Sequence, residues 1–360
     1  MRFLLKCAQT GDLGGLRACI RENYSDNSWS TCFNSKSGDS VPILAARFGH
    51  LPILRFLSDE IGAEFLFDHR NFDGKTLLHE AAHFGHHECV EFLLSKGADV
   101  DSIKRADWTP LMLSCTKSNL DVVRMLVDHG ASTRLVNKDG WNGFHIACRE
   151  GHSEIVSFLL EQDEDLWKSV SKNGRTPLHT AALHGCADVV RLLLTRCRFD
   201  IDVADSCGNT PLMDAARGGH ISVLRILVEH GARIDAEDKL GRRCLHIAAE
   251  SGRQAALSCL IQEYNVDINT PSRVGQTALH YAAKEGHAAL VSHLMRNGSD
   301  VEKIDRNHRA ALHLASGGQH SECVELILLQ STVDKPDING STARSLARNS
   351  QVISVFDTFS

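Results

Sequence analysis

A four-residue pattern similar to Thr-Pro-Leu-His recurs along the chain and constrains its fold more than any other feature. The recurrences begin at Ser40, Thr76, Thr109, Asn142, Thr176, Thr210, Arg243, Thr277 and Ala310. Successive starts lie 33 or 34 residues apart, after a first interval of 36. A fixed period of this length is typical of a stack of small units, each of which contacts only its neighbours. We number these units repeats 1 to 9.

Each unit has the sequence of two short helices joined by a tight turn. In Thr176-Pro177, the threonine can cap a helix and the proline presets its first turn. An alanine pair follows, then a Gly-His turn such as Gly219-His220, and then a second helix with leucine pairs. One unit alone cannot offset an ordering entropy of about 1 kcal/mol per residue. Stacking is therefore required for folding.

The period and its internal motifs resemble the ankyrin repeat over roughly residues 1–350. This resemblance predicts an all-α repeat solenoid, in which helix-turn-helix units carry β-turn fingers. We expect capping helices and a loop at 1–39, nine repeats at 40–338, and a partial repeat or cap at 339–360. The polar stretch 22–39 is interpreted as a long irregular loop.

Charge and cysteine content favour an intracellular protein, and we expect it to be a monomer. The net charge of -6 gives no reason to expect direct nucleic-acid binding, and no apolar run is long enough to cross a membrane. The 12 cysteines lack paired spacing. Those predicted to be buried thiols in apolar helices are Cys115, Cys148, Cys186, Cys244 and Cys323. We expect a cytoplasmic location, with the nucleus as a second compartment.

One segment, His79-Glu80-Ala81-Ala82-His83, matches the H-E-x-x-H pattern of zinc proteases. However, His79 is also the histidine of the repeated pattern, and the equivalent histidines of other repeats have no second histidine four residues later. We therefore interpret it as part of the repeat. The sequence predicts no metal, no cofactor and no catalytic residue, and hence a protein that is not an enzyme.

In ankyrin proteins, ligands usually contact the fingers and the first helices. Immediately before three consecutive patterns stand Trp108, Trp141 and Arg175, and tryptophan is favoured at protein interfaces. A basic series lies four residues before the patterns, at Arg105, Lys138, Lys172, Lys239, Arg273 and Arg306. The predicted partner-binding residues are Trp108, Trp141, Arg105, Lys172 and Arg175. The alternatives are that each indole packs on its own finger and that the charges form an ordinary solvated face.

The runs KRADWTPLMLSCTKSNL (104–120) and VNKDGWNGFHIACREGH (136–152) resemble more narrowly a vertebrate ankyrin-repeat family of co-regulators of alanyl-tRNA synthetase. This resemblance implies binding to the catalytic domain of the synthetase. It also implies that lysine side chains accept misactivated serine and so limit serine mischarging of alanine tRNA. Lys138 and Lys168 match acceptor positions, whereas the third position is Arg105, with Lys104 as a candidate substitute. The alternative is a generic ankyrin scaffold or adaptor for another intracellular protein.

Overall fold

The computed structural model describes residues 2–23, 32–62, 66–67, 69–331 and 333–359. In chain order, its α-helices are Arg2–Thr10, Leu13–Asn23, Val41–Arg47, Leu51–Ile61, Leu77–Phe84, His87–Ser95, Pro110–Ser114, Leu120–Asp128, Gly143–Glu150, Ser153–Gln162, Pro177–Leu183, Ala187–Arg196, Pro211–Gly218, Ile221–Glu229, Cys244–Glu250, Gln254–Gln262, Ala278–Lys284, Ala288–Arg296, Ala311–Gly317, Ser321–Leu328, Ala343–Leu346 and Ser350–Thr358. Strand-type pairing in these residues is limited to isolated bridges at the fingers. The predicted all-α repeat solenoid is confirmed.

The chain divides into two compact units, Met1–Lys172 and Asn173–Ser360. In the first unit, the first helix of repeat 2 packs against the first helices of repeats 1 and 3. In the second unit, the first helices of repeats 5 to 9 pack in succession in the same way. Fully buried pairs such as Ala81-Ala82 and Ala215-Ala216 lie at these contacts, because their small side chains allow the helices to approach closely.

The start of each first helix is fixed by the repeated pattern. The hydroxyl of Thr76 lies 2.8 Å from Nδ1 of His79, and it accepts a hydrogen bond from the backbone N–H of the same histidine. Thr176 and His179 repeat this arrangement at 2.9 Å. These bonds satisfy N–H groups that have no partner within the helix. The predicted threonine cap is thereby confirmed.

The Gly-His turns connect neighbouring repeats. Nε2 of His86 lies 2.8 Å from the carbonyl oxygen of Arg47, at the end of the preceding first helix. Nε2 of His220 lies 3.0 Å from the carbonyl oxygen of Leu183. The glycine before each of these histidines has a positive φ, as at Gly85 with 77°, which an L side chain rarely adopts. These histidines therefore bind the last carbonyl of the first helix in the preceding repeat.

Two sequence predictions need correction. The stretch 22–39 is not one loop, because the second helix continues to Asn23 and Phe33 forms an antiparallel bridge with Ser40; positions 24–31 lie outside the described residues. Cys186 is half-exposed, because it occupies the histidine position of its turn and begins a helix. The other four cysteines are buried as predicted, and burial raises the pKa of Cys115 to about 12.

The described ends of the chain cover the outer repeats of their own units. Arg2–Thr10 packs against the first helix of repeat 1, and Ala343–Leu346 packs against that of repeat 9. Both contacts place a further helix against the first helix of a repeat, which is the position that a predicted cap would occupy. The division at positions 39 and 339 stays a prediction. None of the helices in the described ranges combines the length and apolar character that a membrane crossing requires.

Candidate functional site

Backbone hydrogen bonds hold the fingers of the first unit in register. The N–H of Arg105 donates to the carbonyl of Asp73 at 2.9 Å, and that of Lys138 donates to Ala106 at 3.0 Å. The N–H of Lys172 then donates to the carbonyl of Asp139 at 3.0 Å. Because each bond joins equivalent positions of neighbouring repeats, Arg105, Lys138 and Lys172 form one row, which we call the basic row.

The side chains of the basic row extend into solvent. Arg105 is 73% exposed, with Nε 3.7 Å from an oxygen of Asp73. Lys138 and Lys172 are both exposed, and neither forms an ion pair with any residue that the structure describes. The row therefore presents positive charge that the protein neutralises only at its first member. The alignment follows from the repeat period, because the three residues occupy the same position in successive repeats.

Lys104 lies beside the row, and its side chain is held by Asp73 of the preceding finger and Trp108 of its own finger. Its ammonium group lies 3.2 Å from Oδ2 of Asp73 and 5.7 Å from the centre of the Trp108 ring, and the side chain is 13% exposed. Lys168 lies elsewhere, at the end of the short 3-10 helix Leu166–Lys168. Its ammonium group is 2.5 Å from Oδ1 of Asp165 and 5.6 Å from the Trp167 ring. Both lysines thus have a carboxylate and an indole as neighbours.

The two finger tryptophans are half-buried rather than enclosed in the stack. The ring of Trp108 is approached by Lys104 from the same finger. The ring of Trp141 stacks on His145 at 6.3 Å, and Arg149 lies 5.5 Å from its centre. Each indole therefore packs on its own repeat and also keeps part of its surface accessible. Packing of each indole on its own finger is therefore compatible with a contact between its accessible surface and a partner protein.

Arg175 belongs to the second unit, and its guanidinium group has a structural partner there. It contacts the carboxylate of Asp214, whose side chain is 1% exposed. Burial raises the pKa of the Asp214 carboxyl above its usual value, although the charge of Arg175 opposes that rise. Nε of Arg217 lies 3.8 Å from the same carboxylate. The side chain of Arg175 thus compensates a buried charge in addition to any contact with a partner.

The sequence interpretation missed a set of apolar side chains on the fingers. Ile103, Val136 and Val170 all lie six residues before the repeated pattern, and they are 53%, 48% and 53% exposed. The same position is exposed in other repeats, where it holds isoleucine in repeat 9 (Ile304) but charged residues such as Arg70 and Glu237 elsewhere. Packing therefore does not require an apolar residue there. The signal was available, because the position recurs with the same period as the basic row.

An open cleft of about 320 Å³ adjoins Lys168 in the first unit. Its walls include Val136, Leu166 and Arg134. Arg134 is fixed by two hydrogen bonds to the Asp163 carboxylate, at 2.5 and 2.8 Å. The cleft therefore brings an exposed apolar residue of repeat 4 close to one of the predicted acceptor lysines.

The H-E-x-x-H segment has a structural role. Nδ1 of His79 contacts the Thr76 hydroxyl, and Nε2 lies 3.0 Å from the carbonyl oxygen of Trp108, so both ring nitrogens are occupied. Burial lowers the pKa of His79 to about 4, although the bond to Trp108 partly opposes this. Across the described ranges, no group of three or more His, Cys, Asp or Glu side chains is arranged to hold a metal ion.

Glu80, the middle residue of that segment, belongs to a buried ion network instead. Its side chain is fully buried, and its Oε1 lies 2.9 Å from Arg47 and 3.3 Å from Lys75. Arg47 also binds Asp39 at 2.7 Å. Burial acts to raise the pKa of Asp39, but hydrogen bonds led by those from Arg47 outweigh it and hold the pKa below its usual value. Sequence inspection did not detect this network, because its members come from two repeats.

A family model described as "Ankyrin repeats (3 copies)" matches overlapping segments that together span residues 4–341. This chain belongs to the ankyrin repeat family. Ankyrin repeats are typically non-enzymatic modules that bind other proteins. The relatives described below give no support for the narrower resemblance to co-regulators of alanyl-tRNA synthetase.

Among these relatives is the Ankyrin repeat and KH domain-containing protein of Caenorhabditis briggsae, 29% identical over 123 residues. That match covers 34% of this chain and 4% of the relative. Protein phosphatase 1 regulatory subunit 27 of Homo sapiens is 41% identical over 51 residues, which are 14% of this chain and 33% of the relative. The chain thus spans one third or less of the length of these relatives.

Proposed function

We propose that this ankyrin protein binds another protein through the fingers of repeats 3 to 5. The observation that carries the proposal is the basic row of Arg105, Lys138 and Lys172, which is exposed and held in register. Such a row attracts an acidic surface and accelerates its association.

Apolar and aromatic side chains beside the basic row add apolar contact area to the charge of this surface. Ile103, Val136 and Val170 stand two residues before the members of the row and offer apolar contact area. The half-buried indoles of Trp108 and Trp141 have the size and polarity favoured at interface hot spots. The surface therefore fits a partner that combines acidic groups with apolar ones.

The partner that we propose is the catalytic domain of alanyl-tRNA synthetase. The basis is the resemblance of segments 104–120 and 136–152 to vertebrate ankyrin repeat domain-containing protein 16. On this proposal, binding places lysines near an active site that releases misactivated serine, and their acylation limits serine mischarging of alanine tRNA.

In the acceptor step, the neutral amine of a lysine attacks the carbonyl carbon of seryl adenylate. An amide bond forms, the bond from that carbon to the phosphate oxygen breaks, AMP leaves, and the amine proton passes to solvent. The proposed acceptors are Lys104, Lys138 and Lys168. We expect Lys138 to react first, because acylation of Lys104 or Lys168 would remove the charge that Asp73 or Asp165 binds.

A second candidate function is that of an adaptor for a different intracellular protein. The short match to a phosphatase regulatory subunit favours this wider class, since that relative is named as a regulatory protein. In that case the same finger surface would bind a different partner, and none of the lysines would be acylated by the synthetase.

Capture experiments with the full chain test the surface and its partner. We expect Lys138→Glu/Lys172→Glu and Trp108→Ala/Trp141→Ala to weaken capture of alanyl-tRNA synthetase by at least about tenfold, as the loss of central contacts does. The matched control is Lys239→Glu/Arg306→Glu, which makes the same charge reversals at the same repeat position in repeats 7 and 9. If the wild-type chain does not retain the synthetase, the partner is wrong. If the control loses as much as the test variants, the surface is wrong.

Mass spectrometry tests the acceptor role separately. The chain is incubated with the synthetase, ATP and serine, and its lysines are searched for an added seryl group. We expect the adduct first on Lys138, and no adduct in reactions without ATP. If Lys104, Lys138 and Lys168 all remain unmodified while the complex forms, the protein is a binding partner without acceptor chemistry.

A further inference from the structure

A second row of cations lies on the fingers of repeats 7 to 9, within the second unit. Lys239, Arg273 and Arg306 stand four residues before their repeated patterns, and all three are exposed. The N–H of Arg273 donates to the carbonyl of Gly241 at 3.3 Å, and that of Arg306 donates to the carbonyl of Val274 at 3.0 Å. These bonds join neighbouring fingers and hold the three cations, which we call the second row, in register.

The second row carries positive charge that its surroundings compensate only in part. Lys239 and Arg306 form no ion pair with any residue in the described ranges. Arg273 is 59% exposed, and its Nη2 lies 3.8 Å from Oε2 of Glu237. The other oxygen of that carboxylate is bound more closely, at 3.1 Å, by Arg243. One carboxylate is thus shared between two arginines, and the row attracts an acidic ligand.

The carboxylates that directly precede two members of the row are engaged elsewhere. Asp238 lies 2.7 Å from Nε of Arg242, and Asp305 lies 2.7 Å from Nη2 of Arg309. Each of the two also accepts hydrogen bonds from two backbone N–H groups of its own finger. Both carboxylates are buried, so their charges stabilise the fingers and leave the exposed row available for a ligand.

Apolar side chains accompany the second row. Leu240 and Val274 directly follow its first two members and are 56% and 42% exposed. Ile338 occupies the same position in the final partial repeat, is also exposed, and donates its N–H to the carbonyl of Asn307 at 3.1 Å. These three side chains are aliphatic, so they provide no aromatic face on which a nucleic-acid base would stack. A protein segment with acidic and apolar side chains matches them better.

The spacing of the repeats indicates the conformation of such a segment. The first helices of repeats 7 to 9 pack in succession, and packed helices lie about 8–10 Å apart. A polyproline II segment has three residues per turn and a rise of about 3.1 Å per residue, so one turn advances about 9 Å. Every third side chain therefore faces the same way at the spacing of the repeats. In a β-strand, by contrast, residues three apart face opposite ways.

We propose that the second row binds an acidic polyproline II segment of another protein, with a carboxylate at every third residue and an apolar side chain beside each carboxylate. The carboxylates pair with Lys239, Arg273 and Arg306. The apolar side chains contact Leu240 and Val274. The second unit thereby has a ligand of its own, and its binding does not depend on the surface of repeats 3 to 5.

Fluorescence anisotropy with the full chain tests the proposal. The probe is a labelled peptide of three Glu-Leu-Pro triplets followed by isoleucine, and we expect a dissociation constant on the order of 0.1 mM at low salt. A peptide of the same composition with its three glutamates adjacent should bind at least about fivefold more weakly, because it loses two of the ion pairs. Raising the salt concentration to about 0.5 M should weaken binding of the first peptide at least about tenfold.

Charge reversals distinguish the two surfaces. Lys239→Glu/Arg306→Glu should weaken peptide binding at least about tenfold, whereas Lys138→Glu/Lys172→Glu, at the same repeat position in the first unit, should change it less than about threefold. Leu240→Ser alters an exposed side chain, so it should leave thermal unfolding unchanged and weaken binding about threefold. Equal binding of the two peptides, equal effects of the two charge reversals, or tighter binding of polyuridine RNA than of the probe would each overturn the proposal.

Discussion

Nε2 of His79 lies 3.0 Å from the carbonyl oxygen of Trp108, so a buried histidine of repeat 2 holds a tryptophan of the candidate surface in repeat 3. The bond crosses from one repeat to the next, and the histidine is fully buried. The position of the Trp108 indole therefore depends on a residue that itself lies outside the proposed surface.

We expect His79→Ala to lower the free energy of unfolding by about 2 kcal/mol or more, because it leaves the Trp108 carbonyl without its donor and opens a cavity. Urea unfolding measures the loss. The control is His87→Ala, at an exposed helix position, which should change stability by less than about 0.5 kcal/mol. Equal effects of the two substitutions would contradict the assigned role.

Stability should fall as the pH decreases from about 6.5 to about 4. Burial lowers the pKa of both His79 and His246 from 6.5 to about 4. The unfolded chain therefore binds protons in this range that the folded chain does not. At about pH 4, each of the two histidines lowers the free energy of unfolding by up to about 3 kcal/mol. Above pH 6.5 both states are neutral, and this effect is absent.

Urea midpoints at about pH 7.5, 6 and 5 test this dependence. His246→Gln should reduce the slope, because its side chain does not titrate. The carboxylate of Asp39 acts in a separate window, since its lowered pKa means that its contribution is lost only below its unfolded value of 3.8. A flat profile between pH 7.5 and 5 would be inconsistent with neutral buried histidines.

Glu80→Ala should destabilise the first unit by about 3 kcal/mol, because it leaves the charge of Arg47 partly uncompensated beside a buried site. The comparison is Lys284→Ala, which removes an exposed ion pair with Glu285 and should cost less than about 1 kcal/mol. Thermal or urea unfolding of both variants distinguishes a buried network from surface charge. A negligible effect of Glu80→Ala would show that the network contributes little.

The finger of repeat 3 should gain stability from Asp107→Gly. Asp107 has a φ of 61°, whereas the same position in repeat 4 is Gly140 with a φ of 80°. Relief of the left-handed conformation should add about 0.5–1 kcal/mol. Gly140→Ala is the reverse test, because its Cβ would lie 2.8 Å from the backbone nitrogen of Lys172. Unfolding curves that move in the same direction for both variants would contradict this interpretation.

The repeat period was sufficient to predict the fold and the alignment of the basic row. Both follow from equivalent positions, and a regular stack carries equivalent positions into register. The period also indicated a structural role for His79, because other repeats, such as those with His179 and His280, have a histidine at the same position of the pattern. The last two residues of the helix Leu13–Asn23 were assigned to the loop, because Glu22 and Asn23 are polar and give no apolar periodicity.

Other features of the site depend on contacts between repeats that sequence spacing does not show. The pairing of Lys104 with Asp73 and the contact of Arg175 with Asp214 join residues 31 and 39 positions apart. Neither pair forms a local motif. Ile103, Val136 and Val170 recur with the repeat and could have been noticed in the sequence. They are exposed although they are apolar, because buried residues are mostly apolar but apolar residues are not always buried.

Each finger of repeats 3 to 5 is joined to the preceding finger by a bond between backbone groups, such as the bond from Lys138 to Ala106, whatever side-chain contacts accompany it. An amide and a carbonyl pair in the same way whatever side chains flank them. A finger of this protein can therefore change its exposed residues through successive mutations without disturbing the adjacent repeats, provided that its length and its left-handed residue are retained. Recognition can in this way diversify one repeat at a time during evolution, while the helices beneath stay under selection for packing alone.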